Sequence, residues 1–345
     1  MQKTVTLAAA LVGATILAGS ALAQDVTLRI HHILPPVAPA HAKFMVPWSE
    51  KVTRESGGRL KFQIFPAMQL GGTPAQLVDQ VKDGVVDIVW TLPGYTPGRF
   101  PLVEAFELPF IASRDAEATS KALWDYVQAH AKDEFKDYHP LGFHVHGPGV
   151  FHVVKRPITS VDDFKGLKFR APTRLTNRML GAFGATPVGM PVPQVPEALS
   201  KGTIDGAVVP YEVGPSLKLQ ELVKFHSETD PGEPAVYVAT FIYAMNRAKY
   251  QSLPADLKKV LDDNSGLSLS AFIGKVFRES DEPGKALAVA QKNPINVIAK
   301  AEVQKMRQAA QPVIDGWVEE MKAKNVDGRA LIKSAQDLIA KHGGK

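Results

Sequence analysis

Arg170 is the residue of this sequence with the clearest chemical task. It closes the stretch Phe164-Lys165-Gly166-Leu167-Lys168-Phe169-Arg170-Ala171-Pro172, in which Leu167 and Phe169 alternate with Lys168 and Arg170. The two basic side chains therefore share one face of a short strand. Pro172 lacks a donor and pushes Ala171 towards extended geometry, which ends the strand. A guanidinium at a strand end, beside a helix that Thr173 or Thr176 can open, offers a planar fork that meets a carboxylate at two points. Two readings stay open from these residues alone: a site for an anion, or a surface arginine paired with a neighbouring acid.

Histidines raise the possibility of a metal. His31, His32 and His41 form one group and His144, His146 and His152 another, with His144 and His146 on one strand face. No acid at fixed spacing completes either set, and the chain has no cysteine, which also removes disulfides and thiol nucleophiles. Cleft-lining or core histidines are the expectation, and no metal. Gly147-Pro148-Gly149 begins a dinucleotide fingerprint, but His152 stands where its third glycine belongs. No serine sits in a G-x-S-x-G elbow and there is no H-E-x-x-H. An enzyme or cofactor reading has no constellation to rest on. Aromatic residues say more: Trp90, Tyr95, Phe151, Tyr211, Tyr237, Phe241 and Tyr243 stand at strand ends or beside a hinge-like turn. Each alone reads as packing; converging at one junction, they would hold a flat or apolar ligand body.

The elements that position these residues follow from pattern. Val26 to Ile30 alternates as an opening strand that runs through His31 and His32 into a Pro-rich loop, a candidate wall of the site. Phe44, Met45, Trp48 and Val52 recur with helical spacing up to Ser56-Gly57-Gly58, with Pro47 marking a kink or the first turn. Leu60, Phe62 and Ile64 form a second strand. Thr73-Pro74-Ala75-Gln76 is a capping box, followed by a helix, a stop at Gly84 and an apolar strand from Val85 to Trp90. Aligning Gly84 with Gly202 pairs Val86 with Ile204 and Asp87 with Asp205. That repeat implies two α/β lobes of like construction with a ligand cleft between them. A strand over 139–146 leaves the first lobe, Gly147-Pro148-Gly149 is a hinge, and Ala235 to Met245 crosses back. Helices are expected from Ala255 to Arg278 and from Ala301 to about Lys324.

With 345 residues, the chain has room for two such units. Lys3, the apolar run Val5 to Ala18 and Ala21-Leu22-Ala23 read as a secretory leader cleaved after about Ala23, with a retained anchor as the alternative. No later run approaches the roughly 18 apolar residues of a membrane span. The net charge of +5 is dispersed along the chain, which attracts anions but lacks the clustered stripe of a nucleic-acid binder.

KGLKFRAP, with Gly184-Ala185-Thr186-Pro187, Lys201 to Gly206 and Met245-Asn246-Arg247, resembles the extracytoplasmic solute-binding subunit of TRAP transporters, the DctP-like family. The resemblance covers nearly the whole chain after the leader. It implies a two-lobed α/β periplasmic binding protein fold, each lobe a sheet flanked by helices, with a late long helix spanning both. It further implies a periplasmic receptor that grips an organic acid through Arg170 and delivers it to membrane permease subunits. Two departures matter: Gly149 to His152 lacks the second arginine of many relatives, and Val208-Val209-Pro210-Tyr211 lacks their asparagine. Both lower the polarity of the site, and unpaired ligand groups cost about 1–3 kcal/mol each. A monocarboxylate with an apolar or aromatic body is therefore expected; a sugar acid or dicarboxylate, a secreted enzyme acting on organic acids, and a sensor ectodomain are the alternatives.

The expected division is a leader 1–23, lobe one 24–148 with a return segment over about 235–275, lobe two 149–234 with about 276–322, and a helical tail 323–345. The expected ligand contacts are Arg170 for the carboxylate, with His32, Trp90, Tyr95, His146, Phe151, His152, Met190, Tyr211, Tyr237 and Phe241 around the body. No cofactor is called for, and a monomer is expected.

Overall fold

The computed structural model describes residues 25–344; the expected leader and its cleavage point lie outside the described residues. Two sheets carry the fold. The first runs β2 (Leu60–Phe65), β1 (Val26–His32), β3 (Ile88–Thr91), β10 (Thr240–Asn246), β4 (Tyr138–Val145). The second runs β11 (Ile295–Ile298), β9 (Phe225–Thr229), β5 (Val150–Val153), β8 (Gly206–Val209), β6 (Lys168–Ala171), β7 (Thr186–Gly189). In each, three parallel strands are followed by one antiparallel strand inserted from across the junction, β10 in the first and β5 in the second. The segments 146–149 and 230–239 make the first two crossings.

The repeated unit has a shared mechanism. In each lobe a short helix, Leu77–Lys82 or Val195–Ser200, ends at a left-handed glycine, Gly84 (φ 75°) or Gly202 (φ 65°), a conformation a Cβ would strain. The next aspartate turns back to the neighbouring strand: Asp87 Oδ2 accepts from the Arg29 amide at 2.8 Å, and Asp205 Oδ2 from the Lys168 amide at 2.9 Å. The capping box at Thr73 forms as the sequence predicts, with Gln76 Oε1 accepting from the Thr73 amide. Pro47 falls in the first turn of the helix Val46–Glu55.

Three elements differ from expectation. Val85 and Val86 do not join β3, because their amides return to the Gln80 carbonyl to finish the preceding helix. Only Thr240–Asn246 of the crossing segment pairs in a sheet. The helix expected from Ala255 to Arg278 is two helices, Ala255–Asp263 and Gly266–Ala290. The chain breaks at Asn264, whose side-chain Nδ2 donates to Glu55 and whose backbone carbonyl accepts from the Trp48 indole N–H.

The 25-residue helix Gly266–Ala290 touches both lobes. Ser270 Oγ accepts from the Phe143 amide in β4, while Asp281 Oδ1 accepts from the Glu212 amide and Lys285 pairs with Glu228 of β9. Gly274 and Gly284 let it approach closely: a Cβ would come within 2.6 Å of the Ala116 carbonyl in the first case and 2.2 Å of the Tyr211 carbonyl in the second. The last helix, Gly328–Lys341, packs on Ala116–Tyr126 of lobe one. No helix among the described residues is long and apolar enough to cross a membrane.

Candidate functional site

Arg170 lies near the end of β6, between Val188 of β7 and Ala207 of β8, and is only 2 % exposed. Its Nε donates to the Met190 carbonyl at 3.0 Å and its Nη1 to the Val208 carbonyl at 3.2 Å. Among the described residues Nη2 has no partner and no carboxylate pairs with the group. Burial lowers its pKa, offset in part by the neighbouring Tyr95 and Tyr237, yet a guanidinium keeps its charge in proteins. A positive donor is therefore fixed in place and left open.

It lines a small cavity between the lobes. Lobe two contributes Arg170, Pro172, Val192, Val209, Glu212 and Val213; lobe one contributes Ile33, Leu34, Trp90, Leu92 and Tyr95. His146, Tyr237 and Phe241, on or beside the crossing segments, complete the wall.

The aromatic part is ordered by stacking and by one tautomer. Phe241 stacks on Trp90 (4.8 Å, 10°) and on His144 (4.6 Å, 9°). The Trp90 indole N–H donates to His144 Nε2 at 2.7 Å, so the proton of His144 sits on Nδ1, directed at the Val145 carbonyl. Burial holds this imidazole neutral, with its pKa lowered to about 3. His146 is likewise neutral, lowered to about 4 chiefly by burial. Its Nε2 accepts from the Ala239 amide at 3.0 Å, and Nδ1 faces the Gly147 carbonyl. Tyr237 Oη lies 3.2 Å from the same Nε2. Tyr95 Oη takes the Val192 amide at 3.0 Å, a bond between the lobes.

Of the ligand contacts expected from sequence, Arg170, Trp90, Tyr95, His146, Tyr237 and Phe241 meet at the cavity. The other five do not line it. His32 turns to His41 (2.9 Å) and sits edge-on to Trp90. Phe151 packs on Phe164 and Phe169 in the core of lobe two. His152 meets His226 at 2.6 Å and directs Nε2 at the Val209 carbonyl, so it supports a wall residue from behind. Tyr211 lies against His152 and His226. Met190 reaches the site through its carbonyl on Arg170, and lines a second cleft at the lobe junction. Sequence reasoning passed over Ile33, Leu34, Leu92 and Glu212; the first two belong to the loop already read as a wall. Among the described residues no group of three or more histidine or acidic side chains is placed to hold a metal.

Beside the cavity, Arg174 at the start of the helix Arg174–Ala182 forks onto Glu104 of lobe one and donates to Glu320 at 2.6 Å. The lobes are thus tied together outside the cavity as well as by it.

Two sheets exchanging strands around a cavity with one open cation define a two-lobed receptor for a small anion. The chain belongs to the bacterial extracellular solute-binding protein family 7, the DctP family, whose model matches residues 30–321. A TRAP solute-binding protein of Rhodoferax ferrireducens T118, solved with copurified benzoate, is 53% identical with a TM-score of 0.91, over 92% of this chain and 98% of that one. A marine-metagenome TRAP solute-binding protein specific for aromatic acids, solved with 3-hydroxybenzoate, is 48% identical with a TM-score of 0.91, over 93% and 99%. The C4-dicarboxylate-binding periplasmic protein DctP of Rhodobacter capsulatus is 25% identical over 94% of this chain and 97% of its own. The protein is a binding component of a transporter, not an enzyme.

Proposed function

We propose that this protein captures an aromatic monocarboxylate, with the carboxylate on Arg170 Nη2 and the ring against Trp90 and Phe241. The observation that carries this reading is the buried guanidinium with an unused donor in an otherwise largely apolar cavity. A buried cation without a partner is costly, and a carboxylate supplies both the charge and the acceptor it lacks. The aromatic acids bound by the two similar solved proteins support the choice of ligand body. His146 is bonded to the backbone at both ring nitrogens and lies within hydrogen-bond distance of the Tyr237 hydroxyl, so the pair offers little to a polyol, whose hydroxyls would go unpaired. Binding joins contacts from both lobes and so favours the closed form by its differential affinity. The loaded receptor, exported with its leader removed after about Ala23 and acting as a monomer, then docks on TRAP permease subunits.

Calorimetry with benzoate on the mature protein tests this. Saturable one-to-one binding that is lost in Arg170→Ala, with the variant still folded by circular dichroism, is the expected result. Equal binding by wild type and variant would refute the role of Arg170.

A further inference from the structure

Two cavity-lining side chains among the described residues carry a buried polar atom with no partner: Arg170, through Nη2, and Glu212, through Oε2. The first is accounted for by the ligand's carboxylate. The second is not, because an apolar ring alone leaves that oxygen stranded.

Glu212 is placed with some care. It follows β8 on the loop that also supplies Val209 and Val213 to the wall. Its amide donates to Asp281 Oδ1 of the long helix at 3.0 Å, which fixes the loop from the opposite side. Arg170 is tethered instead to Met190 and Val208. The two residues line one cavity without forming an ion pair. Lys43 attracts the Glu212 carboxyl without pairing with it, while burial and Asp281 both push its pKa well above the usual carboxylate range. A neutral carboxyl both donates and accepts.

Resting on the aromatic-acid reading above, we infer that Glu212 is a specificity-determining residue that hydrogen-bonds a ring hydroxyl of the ligand away from its carboxylate. The preferred ligand class is then a hydroxylated aromatic monocarboxylate. The same residue discriminates against an unsubstituted ring, which leaves its buried oxygen unpaired.

The test is calorimetry of the mature protein with benzoate, 3-hydroxybenzoate and 4-hydroxybenzoate, on wild type, Glu212→Leu and Glu212→Gln. Wild type should bind one hydroxybenzoate ~tenfold or more tightly than benzoate. Glu212→Leu should erase that preference while benzoate affinity is kept or improved. Glu212→Gln, close in shape and still able to hydrogen-bond, should retain most of the preference, and Glu212→Ala, which removes the same oxygens, serves as the test if the leucine variant does not fold. A preference that survives in Glu212→Leu, a loss of both acids alike in that variant, or no preference in wild type overturns the assignment and leaves the aromatic-acid reading standing. Failure of wild type to bind any of the three acids overturns both.

Discussion

The two lobes are built alike, and the site lies where they stop being alike. The aspartates place Arg29 of β1 opposite Lys168 of β6 in the repeat. Two residues past Arg29 and Lys168 stand His31 and Arg170. Both are buried. His31 is fully satisfied: Nδ1 meets Gln80 Oε1 at 2.8 Å and Nε2 accepts from the Leu70 amide. Arg170 keeps one donor free. By the same alignment, the aromatic Trp90 of lobe one corresponds to Val208 of lobe two, whose carbonyl holds the guanidinium. One scaffold thus carries a structural polar residue in one copy and a ligand-seeking one in the other. What separates them is whether the protein completes the hydrogen bonds or leaves one for a guest.

Four experiments would break or sharpen that contrast. The largest effect is expected for Arg170→Ala, which should weaken acid binding by about 2–5 kcal/mol, the range for removing one partner of a buried charged pair. The unliganded protein should melt near wild type, because the hydrogen bonds lost to the Met190 and Val208 carbonyls are offset by removing a buried, unpaired cation. Calorimetry and thermal melts report the two quantities.

Second comes a pH effect in lobe one. Glu107 is buried, bonds Thr240 through Oε1, leaves Oε2 unpaired, and is raised to about 7, chiefly by burial. The folded state holds its proton where the unfolded chain releases it, so the stability it contributes is greatest below about 4.5. It declines as pH rises to about 7. Glu107→Gln should flatten that decline, by on the order of 2–3 kcal/mol across the window. Parallel denaturant curves for the two proteins that keep the same slope against pH would contradict this.

Third, His31→Ala should cost about 1–3 kcal/mol of stability by stranding its buried partners, yet leave affinity within a few-fold. That is the reverse of the Arg170 result. A large affinity loss would show that the two positions are less different than their hydrogen bonds suggest. The smallest effects belong to Asp87→Ala and Asp205→Ala, expected to lower stability similarly, by about 1 kcal/mol each, with no change in binding. Unequal losses would mean that the repeat is not energetically matched.

Much of this was legible in the sequence for local reasons. A proline after a basic strand, a glycine after a short helix and an aspartate three residues on each act within a few residues, so the repeat behind the paired lobes is readable directly, whereas those residues alone leave Arg170 between an anion site and a surface ion pair. The failures have a different cause. The cavity lies beyond the ends of β3, β6 and β8, so distance along a strand matters more than which face a side chain takes. Val209 reaches it, whereas Phe151 and His152, paired with Val208 and Ala207 one and two steps further in, cannot. Glu212 carries no local mark at all. Its backbone amide is held by Asp281, 69 residues later in the chain.

The long helix has a mechanical consequence. Its two tightest seats, Gly274 on lobe one and Gly284 on lobe two, lie about 15 Å apart along the axis. Pro283, beside the second seat, removes one rung of the helical hydrogen-bond ladder. Such a strut is clamped at both ends and softened near one of them. Any parting of the lobes must flex it there or pull a glycine from its seat, so the resistance to opening is set in part by residues remote from the guest.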